Sequence, residues 1–293
     1  MAEKVKVGLV GAGPWANMVH APVLASSPDT ELVGIWARRP EAARELAAKH
    51  NTAAFADYGA LLDACDAVAF CVPPDVQATM AITAAEAGKT LLLEKPIALD
   101  LPAAMELVEA VDAAGVRTVL LLSLRYSDAV QSFLQEAATI GRPLGGRMAF
   151  VSGALLGGSP FATPWRLERG ALPDLGPHAL DLIDAALGNI VKVTASGDSL
   201  GWVCLLCEHE NGATSTVNLC ASAPAGGMSR IEVFGDAGVA KLDASSATDA
   251  TSMKRVPAAL AAAHRGEDTD APDVHRGLHL QKIIDSASSQ LAC

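Results

Sequence analysis

The stretch Val-Lys-Val-Gly-Leu-Val-Gly-Ala-Gly-Pro-Trp-Ala, residues 5–16, decides the fold class of this chain. Its apolar residues precede a pair of glycines, which is the order of a buried strand that turns sharply into a helix. Gly11 permits the tight turn, Gly13 lets the backbone approach a pyrophosphate, and Ala16 is small enough for helix and strand to pack together. The helix start then offers free N–H groups to phosphate oxygens. The predicted dinucleotide-binding residues here are Gly11, Gly13, Pro14, Trp15 and Ala16.

The sequence that follows alternates between strand-like and helix-like segments. Short apolar runs typical of buried strands occupy residues 30–36, 66–72, 90–94 and 118–124. Helix-forming runs separate them at residues 40–50, 75–87 and 101–114. Strands that alternate with helices indicate a doubly wound parallel sheet. We therefore expect a dinucleotide-binding Rossmann domain over residues 1–123.

The pattern changes after residue 124. Strand-like runs then follow one another with little helix between them, at residues 147–152, 191–196, 202–208, 213–222 and 229–234. Two helices are predicted among them, at about 177–187 and 274–291. This pattern predicts a second domain over residues 124–293, of the α+β class, with a largely antiparallel sheet.

Composition limits the classes of partner. The chain has 293 residues, 51% of them hydrophobic, and a formal net charge of −11. An acidic surface argues against binding nucleic acid or an anionic membrane, so small molecules and other proteins remain. Six cysteines show no disulfide spacing, and no secretion signal precedes the first strand, so we expect a cytoplasmic protein. Cys204 and Cys207 have metal-like spacing, but a strand would point them to opposite faces, so we predict no metal site.

The end of the second predicted strand bears on the choice of cofactor. Enzymes that prefer NAD usually place an acid there to bind the ribose 2′-hydroxyl. Here Ala37 is followed by Arg38 and Arg39, whose guanidinium groups suit a 2′-phosphate. The sequence therefore favours NADP(H) over NAD(H). The alternative is that both arginines simply begin the next helix as solvated side chains.

Two further clusters carry groups suited to catalysis. Glu94, Lys95 and Pro96 end the predicted strand 90–94, which brings a lysine to the sheet edge where ligands of such folds bind. Asp174 and His178 lie four residues apart, so a helix would place them on one face. A lysine or histidine can exchange a proton with substrate near neutral pH. Taken singly, each residue has an equally good structural explanation. Lys95 could be a surface lysine, Asp174 a helix cap and His178 a buried structural histidine.

Together these motifs resemble the glucose-fructose oxidoreductase, inositol dehydrogenase and MocA family. The shared features, in family order over nearly the whole chain, are the Gly-Ala-Gly turn, Glu94-Lys95-Pro96, and the run Asp174-x-Gly176-x-His178-x-x-Asp181. The resemblance implies a cis peptide before Pro96. It also implies that Arg125-Tyr126 begins the second domain and that Trp165-Arg166 lies near the pocket.

The resemblance also implies a function. Lys95, Asp174 and His178 would line a substrate pocket beside a nicotinamide and act as catalytic residues, while Glu94 and Lys95 would also contact the cofactor. The expected reaction moves hydride between NADP(H), or NAD(H), and a secondary alcohol or ketone of a sugar or polyol. The second-domain sheet would support a dimer or tetramer. Alternatives are an imine or dihydrodiol oxidoreductase on the same scaffold, or a non-catalytic NADP-binding sensor.

Overall fold

The computed structural model describes residues 3–224, 227–245 and 252–291. In chain order the strands are β1 (Val5–Val10), β2 (Thr30–Trp36), β3 (Ala53–Ala54), β4 (Ala67–Phe70), β5 (Thr90–Glu94), β6 (Thr118–Leu121), β7 (Pro143–Val151), β8 (Ile190–Gly197), β9 (Val203–His209), β10 (Thr214–Cys220), β11 (Met228–Gly235) and β12 (Val239–Asp243). The helices are α1 (Ala21–Ser26), α2 (Pro40–Lys49), α3 (Tyr58–Ala64), α4 (Pro74–Glu86), α5 (Leu101–Ala114), α6 (Asp128–Ala137), α7 (Pro164–Arg169), α8 (Ala171–Leu187), α9 (Arg255–His264) and α10 (Val274–Ser288).

The chain divides into two compact units. The first comprises Met1–Leu121 with Met253–Leu278, and the second comprises Leu122–Ser252 with His279–Cys293. Residues 253–278 thus belong to the first unit although they follow the second sheet in the chain.

The first unit is built on a parallel six-stranded sheet in the order β3-β2-β1-β4-β5-β6. All four residues of β4 are buried, as expected for a parallel sheet covered on both faces. Local signals fix the helices: the carboxylate of Asp57 caps α3, that of Asp100 caps α5, and Gly115 ends α5 in the left-handed conformation, with φ +65°. The predicted doubly wound Rossmann class is confirmed.

The segment that returns to the first unit covers the edge of its sheet. The amide of Leu120 in β6 donates to the carbonyl of Pro272 at 2.6 Å, and the amide of Val274 donates to Thr118 Oγ1 at 2.9 Å. His264 at the end of α9 bonds Thr90 Oγ1 at 3.1 Å. The outer strand β6 therefore meets a chain segment here, which protects its edge from pairing with another strand.

The second unit has a six-stranded sheet in the order β12-β11-β7-β10-β9-β8. The pairing of β7 with β10 is parallel and the other neighbours are antiparallel. The prediction of a largely antiparallel sheet is confirmed. Helix α8 packs on this sheet with nearly all its residues buried.

Two sequence expectations need adjustment. Helix α8 begins at Ala171 rather than near residue 177, so Asp174 lies inside its first turn instead of capping it. Pro173 and Pro177 both lie within the helix, and Pro177 has no N–H group to donate to the preceding turn. Strand β6 ends at Leu121, before a short 3-10 turn at Ser123–Tyr126.

Within the described ranges, none of the helices combines the length and the apolar character that a membrane span requires.

Candidate active site

The turn after β1 has the geometry that the glycines predict. Gly11 has φ +118°, and a Cβ there would lie 2.2 Å from the carbonyl oxygen of Cys71, so only glycine fits. A Cβ added at Gly13 would meet nothing within 4 Å, which leaves its backbone open to a ligand. Ala16 is fully buried at the start of the helical turn Ala16–His20. These features fit a pyrophosphate lying over the turn.

Three neighbouring strands bring the predicted nucleotide and lysine motifs to one sheet edge. Strands β1, β4 and β5 are parallel and adjacent, so Gly11, Cys71 and Lys95 all follow strands at the same carboxyl edge. The peptide bond between Lys95 and Pro96 is cis, as the resemblance implies. The nucleotide turn and the predicted catalytic lysine therefore share an edge of the first unit.

The carboxylate of Glu94 joins the glycine turn to the lysine turn. Its Oε1 accepts a hydrogen bond from Trp15 Nε1 at 2.8 Å and lies 2.7 Å from Nε2 of His20. Trp15 follows the glycines and His20 ends the helical turn, so two residues from the first loop and helix hold this one oxygen. Sequence reasoning placed Trp15 and Glu94 at the cofactor and left His20 out.

His20 is buried and carries a strongly shifted pKa. Burial lowers its pKa, but electrostatic and hydrogen-bond interactions with Cys71 and Glu94 raise it more, and the net pKa is about 10. Cys71 Sγ, a ring nitrogen of His20 and a carboxylate oxygen of Glu94 lie within 4.8 Å of one another. These are donor types that zinc accepts, but a metal ion would first have to displace the proton of His20. In this arrangement His20 holds its proton between the side chains of Cys71 and Glu94.

A polar cavity of about 410 Å³ lies between the glycine turn and α2. Its lining residues include Ala12, Asn17, Arg39 and Lys49, together with two glutamates of α2. Asn17 donates to the carbonyl of Gly13 at 3.1 Å and accepts from Lys49 Nζ at 3.2 Å. Arg38 and Arg39 are both exposed. Two cations, Arg39 and Lys49, therefore border a space next to the glycine turn.

In the second unit, α8 buries the predicted acid/base residues. Asp174 is 4% exposed and His178 is 9% exposed, and their four-residue spacing places them on one helix face. Arg166 Nε donates to Asp174 Oδ1 at 2.9 Å, and its guanidinium also lies 4.5 Å from the ring centre of Trp165. The His178 ring lies 6.3 Å from that of Phe150, centre to centre. The structure thus places Asp174 and His178 together and fixes Asp174 with a cation.

Two further aspartates of α8 have partners that their spacing did not reveal. Arg125 Nε lies 3.2 Å from Asp181 Oδ2. Asp184 Oδ1 accepts from the amide of Ile190 at 2.6 Å and lies 3.0 Å from His279 Nε2. Each buried carboxylate is thus balanced by a cationic group or a donor from another element, as burial requires.

The two cysteines with metal-like spacing point in opposite directions. Cys204 is exposed on β9 and Cys207 is buried, which agrees with the strand argument against a shared metal.

Comparison with known families identifies both halves of the chain. Residues 5–121 match the GFO/IDH/MocA oxidoreductase family model, described as an NAD-binding Rossmann fold. Residues 131–241 match the GFO/IDH/MocA C-terminal domain.

Among characterised relatives, D-apiose dehydrogenase of Paraburkholderia graminis is 32% identical over 148 residues, which are 46% of this chain and 38% of that protein. The match to D-apiose dehydrogenase of Rhizobium rhizogenes likewise spans only 39% of that protein's length. A dTDP-3,4-didehydro-2,6-dideoxy-α-D-glucose 3-reductase of Streptomyces violaceoruber is 30% identical over 229 residues, which are 72% of this chain and 65% of that one.

Solved structures share the whole fold. GenD2 from gentamicin A biosynthesis, in complex with NAD, superposes with a TM-score of 0.87 at 22% identity and covers 99% of this chain and 95% of that one. The WlbA dehydrogenase of Bordetella pertussis, in complex with NADH and UDP-GlcNAcA, gives 0.86 at 21% identity and covers 98% of this chain and 96% of that one. With both family models matched in order and the fold shared along its length, the chain belongs to the GFO/IDH/MocA oxidoreductase family.

Proposed function

We propose that this protein is an NADP(H)-dependent dehydrogenase that interconverts a secondary alcohol and a ketone on a sugar, polyol or related compound. The observation that carries the proposal is the Glu94-Lys95-Pro96 turn, which stands at the same sheet edge as the open Gly11–Gly13 loop. Relatives named as D-apiose dehydrogenase and as UDP-N-acetylglucosamine 3-dehydrogenase support the substrate class.

We assign roles by the chemistry of each side chain. A nicotinamide held at the glycine turn would supply the hydride chemistry. Lys95 donates a hydrogen bond to the reacting oxygen and can share the proton transfer. His178 takes the hydroxyl proton during oxidation and returns it during reduction, as the main acid/base group. Asp174, whose carboxylate Arg166 holds at 2.9 Å, orients the substrate or the imidazole.

Substitution of the two proton-handling residues tests these roles. Lys95→Ala and His178→Ala should each lower kcat by about 100-fold or more, because general acid–base catalysis contributes that much. Affinity for NADPH, followed by its fluorescence, should change little in His178→Ala. In Lys95→Ala it should fall much less than kcat, because Lys95 is expected to contact the cofactor as well as the substrate. Val111→Ala, at a buried apolar position of α5, is the control for lost stability. Near-normal turnover in either variant would remove that residue from the mechanism.

A substrate panel tests the reaction class. Sugars, polyols and diols are offered with NADP⁺, and ketoses with NADPH, while absorbance of the reduced nicotinamide is recorded. Turnover of an alcohol–ketone pair supports the proposal. Turnover confined to cyclic imines or dihydrodiols would replace it, and tight cofactor binding without turnover across all classes would favour a sensor.

We propose NADP(H) as the preferred cofactor because no acid follows β2 and two arginines do. Arg38→Ala and Arg39→Ala should each weaken NADPH binding by about tenfold or more, since a hydrogen bond between charged groups contributes about 1.5–3 kcal/mol. NADH binding should be almost unchanged. Arg44→Ala is the matched control, because Arg44 lies on α2 and pairs with Glu41 at 2.8 Å. Tighter binding of NADH than of NADPH by the unaltered protein would overturn the preference.

We also propose self-association into a dimer or tetramer through the second sheet. Helix α8 packs on one face of that sheet, while Leu206 of β9 is exposed. Sedimentation velocity measures the mass, and a monomer at micromolar concentration would contradict this proposal.

A further inference from the structure

Gln77 is a fully buried amide in the first turn of α4 that neither the sequence motifs nor the proposed chemistry includes. Its Oε1 accepts from the amide of Glu94 at 2.8 Å. Its Nε2 donates to the carbonyl of Glu94 at 2.8 Å and lies within hydrogen-bond distance of the carbonyls of Ile97, at 3.2 Å, and Pro96, at 3.3 Å. One side chain thus contacts the backbone on both sides of Lys95.

These bonds replace a strand partner where the sheet ends. Residues of β5 pair with β4 only as far as Leu92, although β5 continues to Glu94. Beyond that point the backbone N–H and C=O of Glu94 would be buried without a partner on the β4 side, which is costly. The amide of Gln77 supplies one acceptor and one donor, as a neighbouring peptide group would. The end of β5 therefore depends on a side chain for its backbone pairing.

The hydrogen-bond pattern also fixes which way the amide faces. An N–H group of Glu94 must meet the carbonyl oxygen of Gln77, and three backbone carbonyls must meet its NH₂ group. A glutamate in this place would keep the acceptor but, when ionised, would direct negative charge at those carbonyls. A leucine would offer neither donor nor acceptor.

Side-chain contacts also hold the turn from Glu94 to Ile97. Glu94 Oε1 is bound by Trp15 and His20, and the buried Ile97 lies against Gly277 of α10, where an added Cβ would come within 2.5 Å of Ile97 Cγ2. Of these supports, Gln77 is the one that bonds the backbone directly on both sides of Lys95.

We infer that Gln77 is a positioning residue that fixes the backbone from Glu94 to Ile97 and thereby sets the place of the Lys95 side chain for turnover. This inference rests on the proposed role of Lys95. It adds a residue that does not contact the reacting atoms and acts only through the turn.

The first test needs no substrate. Hydrogen exchange of the Glu94 amide is measured by NMR in the full chain and in Gln77→Leu. We expect exchange to accelerate about tenfold or more, because loss of a buried hydrogen bond favours local opening. Val111→Ala, which shortens a buried side chain of α5, serves as the control for general destabilisation. Each variant is measured at the same number of degrees below its own unfolding temperature. Under that condition the Glu94 amide should stay protected in Val111→Ala. Unchanged exchange in Gln77→Leu overturns the inference.

The second test separates kcat from cofactor binding. With the best substrate of the panel, Gln77→Leu should lower kcat by about 10- to 100-fold, because small misplacements of a reacting group are costly. The Kd for the dinucleotide should change less than about threefold, since the glycine turn is intact. An unchanged kcat, or an equal loss in Val111→Ala, overturns the positioning role.

The third test is rescue by protonation. At alkaline pH the activity of Gln77→Glu should be as low as that of Gln77→Leu. As the pH falls, Gln77→Glu should regain activity, when activity is expressed relative to the unaltered protein at the same pH. Protonation removes the repulsion from the carbonyls and supplies one O–H donor. Gln77→Leu should show no such recovery, and equal pH profiles for the two variants would count against the inference.

The two proposals can fail separately. If Lys95→Ala keeps normal turnover, the role of Lys95 fails. Faster exchange of the Glu94 backbone amide in Gln77→Leu would still show that the side chain of Gln77 holds the turn. Slow exchange in Gln77→Leu together with an inactive Lys95→Ala refutes the role of Gln77 alone.

Discussion

At the scale of single residues, the shifted pKa of His20 makes the stability of the fold depend on pH. The pKa is raised from 6.5 to about 10 in the fold, so the folded protein binds a proton that the unfolded chain releases between these values. The stability from this proton is complete below about pH 6.5 and is lost as pH rises towards 10. The interactions of His20 with Cys71 and Glu94 are responsible, because together they outweigh the effect of burial.

The test compares the unaltered protein with His20→Gln across pH 7 to 9. Gln can still donate a hydrogen bond to Glu94 but cannot titrate. The free energy of unfolding of the unaltered protein should fall more steeply with pH, by up to about 1.4 kcal/mol per pH unit. Denaturant titrations measure it, and parallel pH profiles would show that His20 is not protonated in the fold.

Residue types and spacing were sufficient to predict Gly11, Trp15 and Lys95 at the sheet edge, because each follows a recognisable strand or turn. They could not predict Gln77 or His20 as partners of Glu94. A glutamine or histidine in a helix carries no local signal, and these contacts join elements far apart in the chain. The catalytic assignment of Lys95, Asp174 and His178 stays a prediction.

At the scale of elements, helical glycines differ in what surrounds them. Gly277 in α10 faces Ile97, whose Cγ2 would lie 2.5 Å from an added Cβ, and Gly176 in α8 has Leu172 Cδ1 at 3.3 Å as its nearest neighbour. Alanine gains about 1 kcal/mol of helix propensity over glycine, whereas overpacking costs about 1–3 kcal/mol.

We expect Gly277→Ala to lower the unfolding temperature and kcat together, because a β-branched side chain next to the lysine turn must move. Gly176→Ala should be neutral or stabilising in thermal unfolding, since the flexible end of Leu172 can yield. Calorimetry of both variants measures the difference. Equal unfolding temperatures for the two would contradict this explanation.

Element boundaries were predictable where a buried strand or helix is framed by turn and capping residues. Strand β5 (Thr90–Glu94) and helix α5 (Leu101–Ala114) have the predicted bounds. The start of α8 was missed because Pro173, Gly176 and Pro177 are typical helix breakers. There, packing against the second sheet outweighs local preference.

At the scale of the whole molecule, the alternation of strands and helices was enough to predict both sheets. It was not enough to assign residues 253–278, because apolar periodicity shows that a helix is buried without showing against which sheet. The contacts of Pro272 and Val274 with β6 supply that information, and they exist only in the folded chain.

That returning segment sets an order of events during synthesis. A ribosome that has released residues 1–121 has made every strand of the first sheet but not the piece that covers the edge of β6. Until translation reaches Val274, this nascent edge is open to chaperones and to neighbouring chains. The first sheet therefore gains its edge cover only after every strand of the second sheet has been synthesised, so its maturation depends on translation through both units.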